Sequence, residues 1–177
     1  MSKAVLISIR PEWCEKIING QKTIEVRKTR PKMNPPFKCY IYRSVQGGVI
    51  GEFVCDHIFE RIVRVGASCE APKYCICDWN MDCTPLDTLL ADACLTKDEL
   101  EKYLDGGVGY GWHISNLKIY DTPKELIEFH TWKKCKSCNK SGYESTACIY
   151  DENCIIPAAI TKAPQSWCYV EEEIWND

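Results

Sequence analysis

No stretch of this sequence approaches the roughly 20 consecutive apolar residues that a membrane-spanning helix needs. The opening residues, MSKAVLISIRPEW, lack the long apolar core and small-residue cleavage site of an export signal. Internal repeats and low-complexity tracts are also missing, which excludes solenoid and fibrous architectures. These absences predict a soluble, cytoplasmic protein with no membrane partner. A length of 177 residues predicts one domain, or one with an appended lobe. Such a chain buries enough surface to fold without staples. With 45% hydrophobic and 27% charged residues, the composition is that of a globular protein rather than a disordered one.

Cysteine, by contrast, is abundant. Thirteen is an odd count that cannot pair completely within one chain. Without an export signal, a disulfide scaffold is not expected, and most should be buried thiols or metal ligands. Charge is unevenly spread. Residues 1–44 carry ten Lys or Arg against three Glu, while the remainder carries twelve against twenty-two acids. Such a split fits a basic face meeting an anionic partner, and equally fits a solvated surface.

The chain reads as a strand over 3–9 and a short helix over 11–19, with Pro11 in its first turn and Gly20 as its left-handed stop. Trp13, Cys14, Ile17 and Ile18 form its apolar stripe. A basic loop, RPKMNPP, precedes the strand FKCYIYRSV. Residues 47–65 read as a turn and one long, bent strand, and 66–83 as a loop. Residues 84–106 read as one or two helices, with Thr96 and Glu99 forming a capping box. GVGYGWHISNLKIYD reads as a strand, TPKELIEF as a short helix, 130–163 as irregular, and SWCYVEEEI as a closing strand. Strands broken by brief helices predict an α+β fold with a curled or closed small sheet.

The stretch GQKTIEVRK, residues 20–28, poses the functional question. Ile24 and Val26 share one face of a strand, and Thr23, Glu25 and Arg27 the other. Lys22 sits at the turn, where its stem can swing toward Glu25. The pattern fits a surface ion-pair ladder, worth under about 1 kcal/mol per pair. It also fits a polar cleft whose bases hold an anionic or carbonyl-bearing ligand.

SIRPEWCEKIINGQKTIEVRK resembles the signature of the ASCH domain: strand, short helix, then Gly-x-Lys-x-x-Glu-x-Arg, here Gly20, Lys22, Glu25 and Arg27. WHISNLKIYDTPKEL at 112–126 and APQSWCYVEE at 163–172 are similar to a bacterial and phage branch of that family. The resemblance implies a single ASCH/PUA-like domain over 1–177, a small PUA-like β-barrel with short helices and two irregular insertions near 66–95 and 130–160. It implies a cleft binding RNA or a nucleotide-like ligand, with Lys22, Glu25, Arg27, Trp112, His113, Ser166 and Trp167 as candidate contacts. Arg27 can fork onto phosphate or a base carbonyl, and Glu25 can accept from an exocyclic amine. Trp112 or Trp167 can stack a base, or belong to the core.

A hydrolase branch of the same superfamily resembles an amidohydrolase for N4-acetylcytidine, with a Lys and a Thr three residues apart. Lys22 matches that Lys, but Glu25 stands at the Thr position, so the covalent route is lost. Lys22 and Glu25 can still be read as oxyanion stabiliser and general base. Some relatives are described as ribonucleases, for which His113 is the acid/base candidate. A third reading is a protein-interaction module that uses the acidic 82–105 segment.

Finally, Cys135, Cys138, Cys148 and Cys154 fall within twenty residues. The Cys135-x2-Cys138 pair is knuckle-like, and four such ligands suit a structural zinc, with His130 able to replace one. Four reduced thiols is the plain alternative. Cys69, Cys75, Cys77 and Cys83 match no ligand template, although Cys75 and Cys77 share a face if that segment is extended.

Overall fold

The computed structural model of the chain describes residues 3–64, 74–77, 83–84, 86–134 and 155–171. Strand β1 (Lys3–Ile9) leads into helix α1 (Pro11–Ile18), and strand β2 (Ile24–Arg27) follows. Pro11 opens α1 where no N–H is required, and Gly20 closes the turn behind it at φ +75°. Cys14 and Ile17 are the buried positions of α1, whereas Ile18 is left exposed.

Strands β3 (Phe37–Arg43), β4 (Val49–Cys55) and β9 (Ser115–Lys124) join β1 and β12 (Trp167–Glu171) in one five-stranded sheet, ordered β12-β1-β3-β4-β9. Within it β1 and β3 run parallel, which the crossover through α1 and β2 permits. A second sheet has the order β2-β8-β5-β6-β7, with β5 (Ile58–Arg64), β6 (Tyr74–Cys77), β7 (Cys83–Thr84) and β8 (Gly109–His113). The architecture is mixed α+β. The sheets are separate ladders among the described residues and do not close into the expected barrel.

The segments expected to be single strands over 47–65 and 107–121 each divide in two. The chain leaves the first sheet at Asp56-His57 and enters the second as β5; it returns through Ile114 from β8 to β9. The two corners are tied together, His113 N–H donating to the His57 carbonyl at 3.0 Å. The helix expected over 122–129 is also corrected. Residues 122–124 complete β9, held by the Val49–Lys124 pairing, and only one 3-10 turn (Leu126–Glu128) follows. Residues 130–134 and 155–159, expected to be irregular, pair antiparallel as β10 (His130–Lys134) and β11 (Ile155–Ala159).

Helices α2 (Asp87–Ala93) and α3 (Lys97–Leu104) cover one face of the second sheet. Leu86, Leu89, Leu90, Ala93, Leu100 and Leu104 bury Ile24, Val26 and Ile62 there. The start of α3 carries the reciprocal cap: Thr96 N–H donates to Glu99 at 2.8 Å, and Glu99 N–H to Thr96 Oγ1 at 3.2 Å. A larger core lies between the sheets, where Val5, Ile7, Ile9, Cys14 and Ile17 meet Phe37, Phe53 and Trp112. The opposite face of β1 is buried too, with Leu6 among Tyr40, Phe129 and Val170. Cys14, Cys39 and Cys55 are free, buried thiols, and burial pushes Cys14 and Cys55 up to about 12, so these sulfurs stay protonated.

Candidate ligand site on strand β2

Every residue of β2 is buried. The alternation sends Ile24 and Val26 into the helical core, so Glu25 and Arg27 face the other way. There Lys22, Glu25 and Arg27 retain only 3%, 7% and 8% of their surface. The turn that delivers Lys22 is pinned on both sides. Its N–H donates to Lys16 of α1 at 2.9 Å, and Thr23 N–H to Asp92 of α2 at 2.8 Å.

The three charges form a chain. Lys22 Nζ lies 3.2 Å from Glu25 Oε2, and Arg27 Nη2 lies 2.9 Å from Glu25 Oε1. Backbone carbonyls complete the shell: Lys22 Nζ donates to Ala93 at 2.7 Å, and Arg27 Nη2 to Ser8 at 2.6 Å. Ala93 ends α2, so Lys22 meets the electronegative end of a helix. Lys22 also lies 5.1 Å from the centre of the Trp13 ring. Taking three charges out of water costs several kcal/mol per ion, which only such dense pairing offsets. One carboxylate between two cations leaves the cluster with one excess positive charge. Arg27 keeps further donor capacity at Nη1, which reaches Ser166 Oγ at a long 3.4 Å; the buried Nε–H has no partner among the described residues.

This cluster forms one side of a cavity of about 860 Å³. A second side comes from Ser8 of β1 and Tyr42 of β3, with Arg10, Ser44 and Val45 just beyond the ends of those strands. A third comes from α3 and the turn before it, with Leu95, Glu99, Lys102 and Tyr103. Residues 163–166 complete the lining, clipped to β1 by Ser8 N–H donating to Ser166 O at 2.9 Å and Ser8 Oγ to Pro164 O at 2.6 Å. Arg10, Lys22, Arg27 and Lys102 outnumber Glu25 and Glu99 on the lining, so the cavity favours an anion. Trp13, Tyr42 and Tyr103 add aromatic surface. Burial pushes the Tyr103 phenol up, with Arg27 opposing, so it remains a neutral donor.

A family model for the ASCH domain matches residues 7–98, more than half the chain, and this range includes Lys22, Glu25 and Arg27. The chain belongs to the ASCH domain family. Its fold is similar to that of ASCH from Zymomonas mobilis, with a TM-score of 0.56 at 16% identity over 96% of this chain and 88% of that one. A single-substitution variant of the same Zymomonas mobilis protein gives 0.55, also at 16% identity, over 96% of this chain and 91% of that one. Identity that low speaks to the fold alone. No curated protein matches the chain.

Of the contacts that the ASCH resemblance implies, the structure gathers Lys22, Glu25, Arg27 and Ser166 around one cavity and leaves three others outside its lining. Trp112 stands opposite Glu25 in the β2–β8 register, but it is wholly buried, with Phe37 edge-on at 6.0 Å. No face of it is open to a base, and the stacking expectation for Trp112 is corrected. Trp167 packs on Trp112 and Tyr169 and donates from Nε1 to Thr29 Oγ1 at 3.0 Å. His113 is half-exposed and its Nδ1 lies 2.7 Å from Asp56 Oδ1. That hydrogen bond holds the Asp56 carboxyl below its ordinary value.

Cys69, Cys135, Cys138, Cys148 and Cys154 lie outside the described residues. Cys75 and Cys77 lie on extended β6, and Cys77 stands opposite Cys83 in the β6–β7 register. Among the described residues, no group of three or more ligating side chains is placed to hold a metal ion. Sequence reasoning missed Arg10, Tyr42, Val45, Lys102 and Tyr103 as lining. Nothing local marks them, because they reach the cavity through the packing of sheet against helix.

Proposed function

We propose that this cavity binds one nucleotide unit, free or as an unpaired residue of an RNA strand. The observation that carries the reading is a buried cluster with excess positive charge, opening on a cavity of about 860 Å³ that has aromatic lining. Pockets for small ligands commonly span about 300–1,000 Å³, so the space suits a nucleotide. Arg27 is the contacting cation, because it lines the cavity and its Nη1, held only by a long 3.4 Å contact to Ser166 Oγ, has capacity left for a phosphate or base-carbonyl oxygen. Lys22 and Glu25 position it. Lys22 is engaged by Ala93, Glu25 and the Trp13 ring, and each Glu25 oxygen already receives a cation. That division of labour suits holding a ligand better than moving a proton. Arg10 and Lys102 add charge for a phosphate, and Tyr42 and Tyr103 supply faces for a base.

The test is binding of a labelled single-stranded RNA decamer and of nucleoside monophosphates, by anisotropy and calorimetry. Arg27→Lys keeps a cation beside Glu25 but removes the planar fork. We expect it to weaken binding by about 10- to 100-fold, the range of a lost bidentate contact. Equal binding by wild type and Arg27→Lys, or no binding of either probe, would overturn the reading.

A further inference from the structure

Among the cavity-lining residues, Val45 is out of keeping with its surroundings. Its side chain is apolar and branched at Cβ, yet 94% of its surface is exposed. Its backbone sits at φ +72°. Ser44 O accepts from Gln46 N–H at 2.9 Å, which places Val45 at the centre of a three-residue turn. A positive φ there marks the classical γ-turn, rare and strained even for compliant residues. For a β-branched residue the left-handed region is a genuine outlier.

The strain is held from outside. Ser44 is tied to β1 twice, its N–H and Oγ both donating to Ile9 O, at 2.8 and 3.1 Å. The base of the turn closes through Arg43 N–H to Gly48 O and Gly47 N–H to Arg43 O, each at 3.0 Å. The chain has glycine at 47 and 48, both at positive φ, but places valine at the strained position. At that exposure, little packing within the chain offsets the cost. Strain of this kind persists where a site requires it.

Resting on the nucleotide reading of the same cavity, we infer that Val45 is a ligand-contact residue, presented by its strained turn against the flat apolar face of the ligand's base. The ligand class is thereby narrowed to one with an aromatic or similarly flat apolar group beside its anionic one; inorganic phosphate alone would gain nothing from Val45. Leu95 and Tyr103 lie on the lining contributed by another part of the fold, so the apolar part of the ligand meets contacts from two separate elements.

Two substitutions separate strain from contact. Val45→Asn places a residue tolerant of positive φ and removes the apolar surface. It should raise Tm by about 2–4 °C, the shift expected for roughly 1 kcal/mol in a chain of this size. It should also weaken binding of the RNA decamer and of nucleoside monophosphates by about tenfold, the scale of a buried valine side chain. Val45→Thr keeps the shape and the strain but exchanges one methyl for a hydroxyl, so Tm should stay while affinity falls several-fold. Binding of inorganic phosphate should be unchanged in both. Wild-type affinity for the nucleotide probes in both variants overturns the inference and leaves the nucleotide reading standing. Failure of the wild type itself to bind these probes overturns both.

Discussion

Two hydrogen-bonded clusters of titratable side chains sit one register step apart on the β2–β8 pair. Glu25 stands opposite Trp112, and Ile24 stands opposite His113. The first group is Lys22–Glu25–Arg27, with contacts of 3.2 and 2.9 Å; the second is His113–Asp56 at 2.7 Å. By distance the His113–Asp56 pair is the tighter. Environment reverses the ranking. The Glu25 side chain keeps 9% of its exposure, and the Asp56 side chain keeps 44%. Water already solvates Asp56, so losing its partner returns it to solvent. Glu25 has been stripped of water, and each of its two neighbours depends on it. The comparison separates a cluster whose integrity the fold depends on from a pair that the fold tolerates.

The largest effect should therefore come from Glu25. Glu25→Gln leaves two buried cations without a counter-charge, and breaking a buried pair in this way costs about 3–5 kcal/mol. Urea unfolding should show a correspondingly lower midpoint at unchanged slope. Removing all three charges together, as Lys22→Met, Glu25→Met and Arg27→Met in one chain, should recover most of that loss, because apolar replacements of similar volume avoid the desolvation cost. The triple variant should be folded yet unable to bind the RNA decamer. A Glu25→Gln loss under about 1 kcal/mol would place the cluster in the same class as Asp56–His113.

The polar face of β2 was legible in the sequence because two-residue alternation is a local property. Ile24 and Val26 mark one side, and the acid and bases must take the other. Gly20 and Pro11 mark the ends of α1 for equally local reasons, and Thr96 with Glu99 marks the start of α3. The sheet corners were not legible. Asp56-His57 and Ile114 lie within runs of good strand-formers, and a change of sheet leaves no break in propensity. Trp112 shows a further limit. An aromatic residue has the same sequence signature as core or as stacking platform, and the interior between the sheets claims it here. The cavity lining depends on distant parts of the chain meeting, so Tyr42, Val45 and Tyr103 carry no mark beside Lys22. Pro123 invited a helix start, but pairing with β4 holds Lys124 in β9.

A smaller effect, which still bears on the site, is expected at Thr96. Thr96 Oγ1 caps the first turn of α3, and that helix carries Glu99, Lys102 and Tyr103 to the cavity. Thr96→Ala should cost about 1 kcal/mol, typical of a lost cap. The hydrogen bonds of this cap and those of the buried cluster share no residue, so Thr96→Ala should add independently to Glu25→Gln. Additivity within about 0.5 kcal/mol in the double variant would mark the cluster and the α3 cap as separate units. A larger departure would mean that the helix and the charge chain stabilise each other.

The smallest effect is expected at Asp56. Its carboxyl is lowered from the ordinary 3.8, chiefly by the His113 hydrogen bond. A carboxyl lowered in the folded state contributes stability that is present above its unfolded value and is lost as pH falls through the folded one. Asp56→Asn should accordingly destabilise by less than about 1 kcal/mol near neutrality, as exposed pairs do. The gap between wild type and variant should narrow as pH drops below about 4 and vanish once Asp56 is protonated in both states. Urea midpoints for the two proteins, compared from about pH 6 down to about pH 2.5, check both the size and the sign. A gap of several kcal/mol near neutrality would show that Asp56 and His113 behave like the buried cluster, and that exposure is not what separates the two.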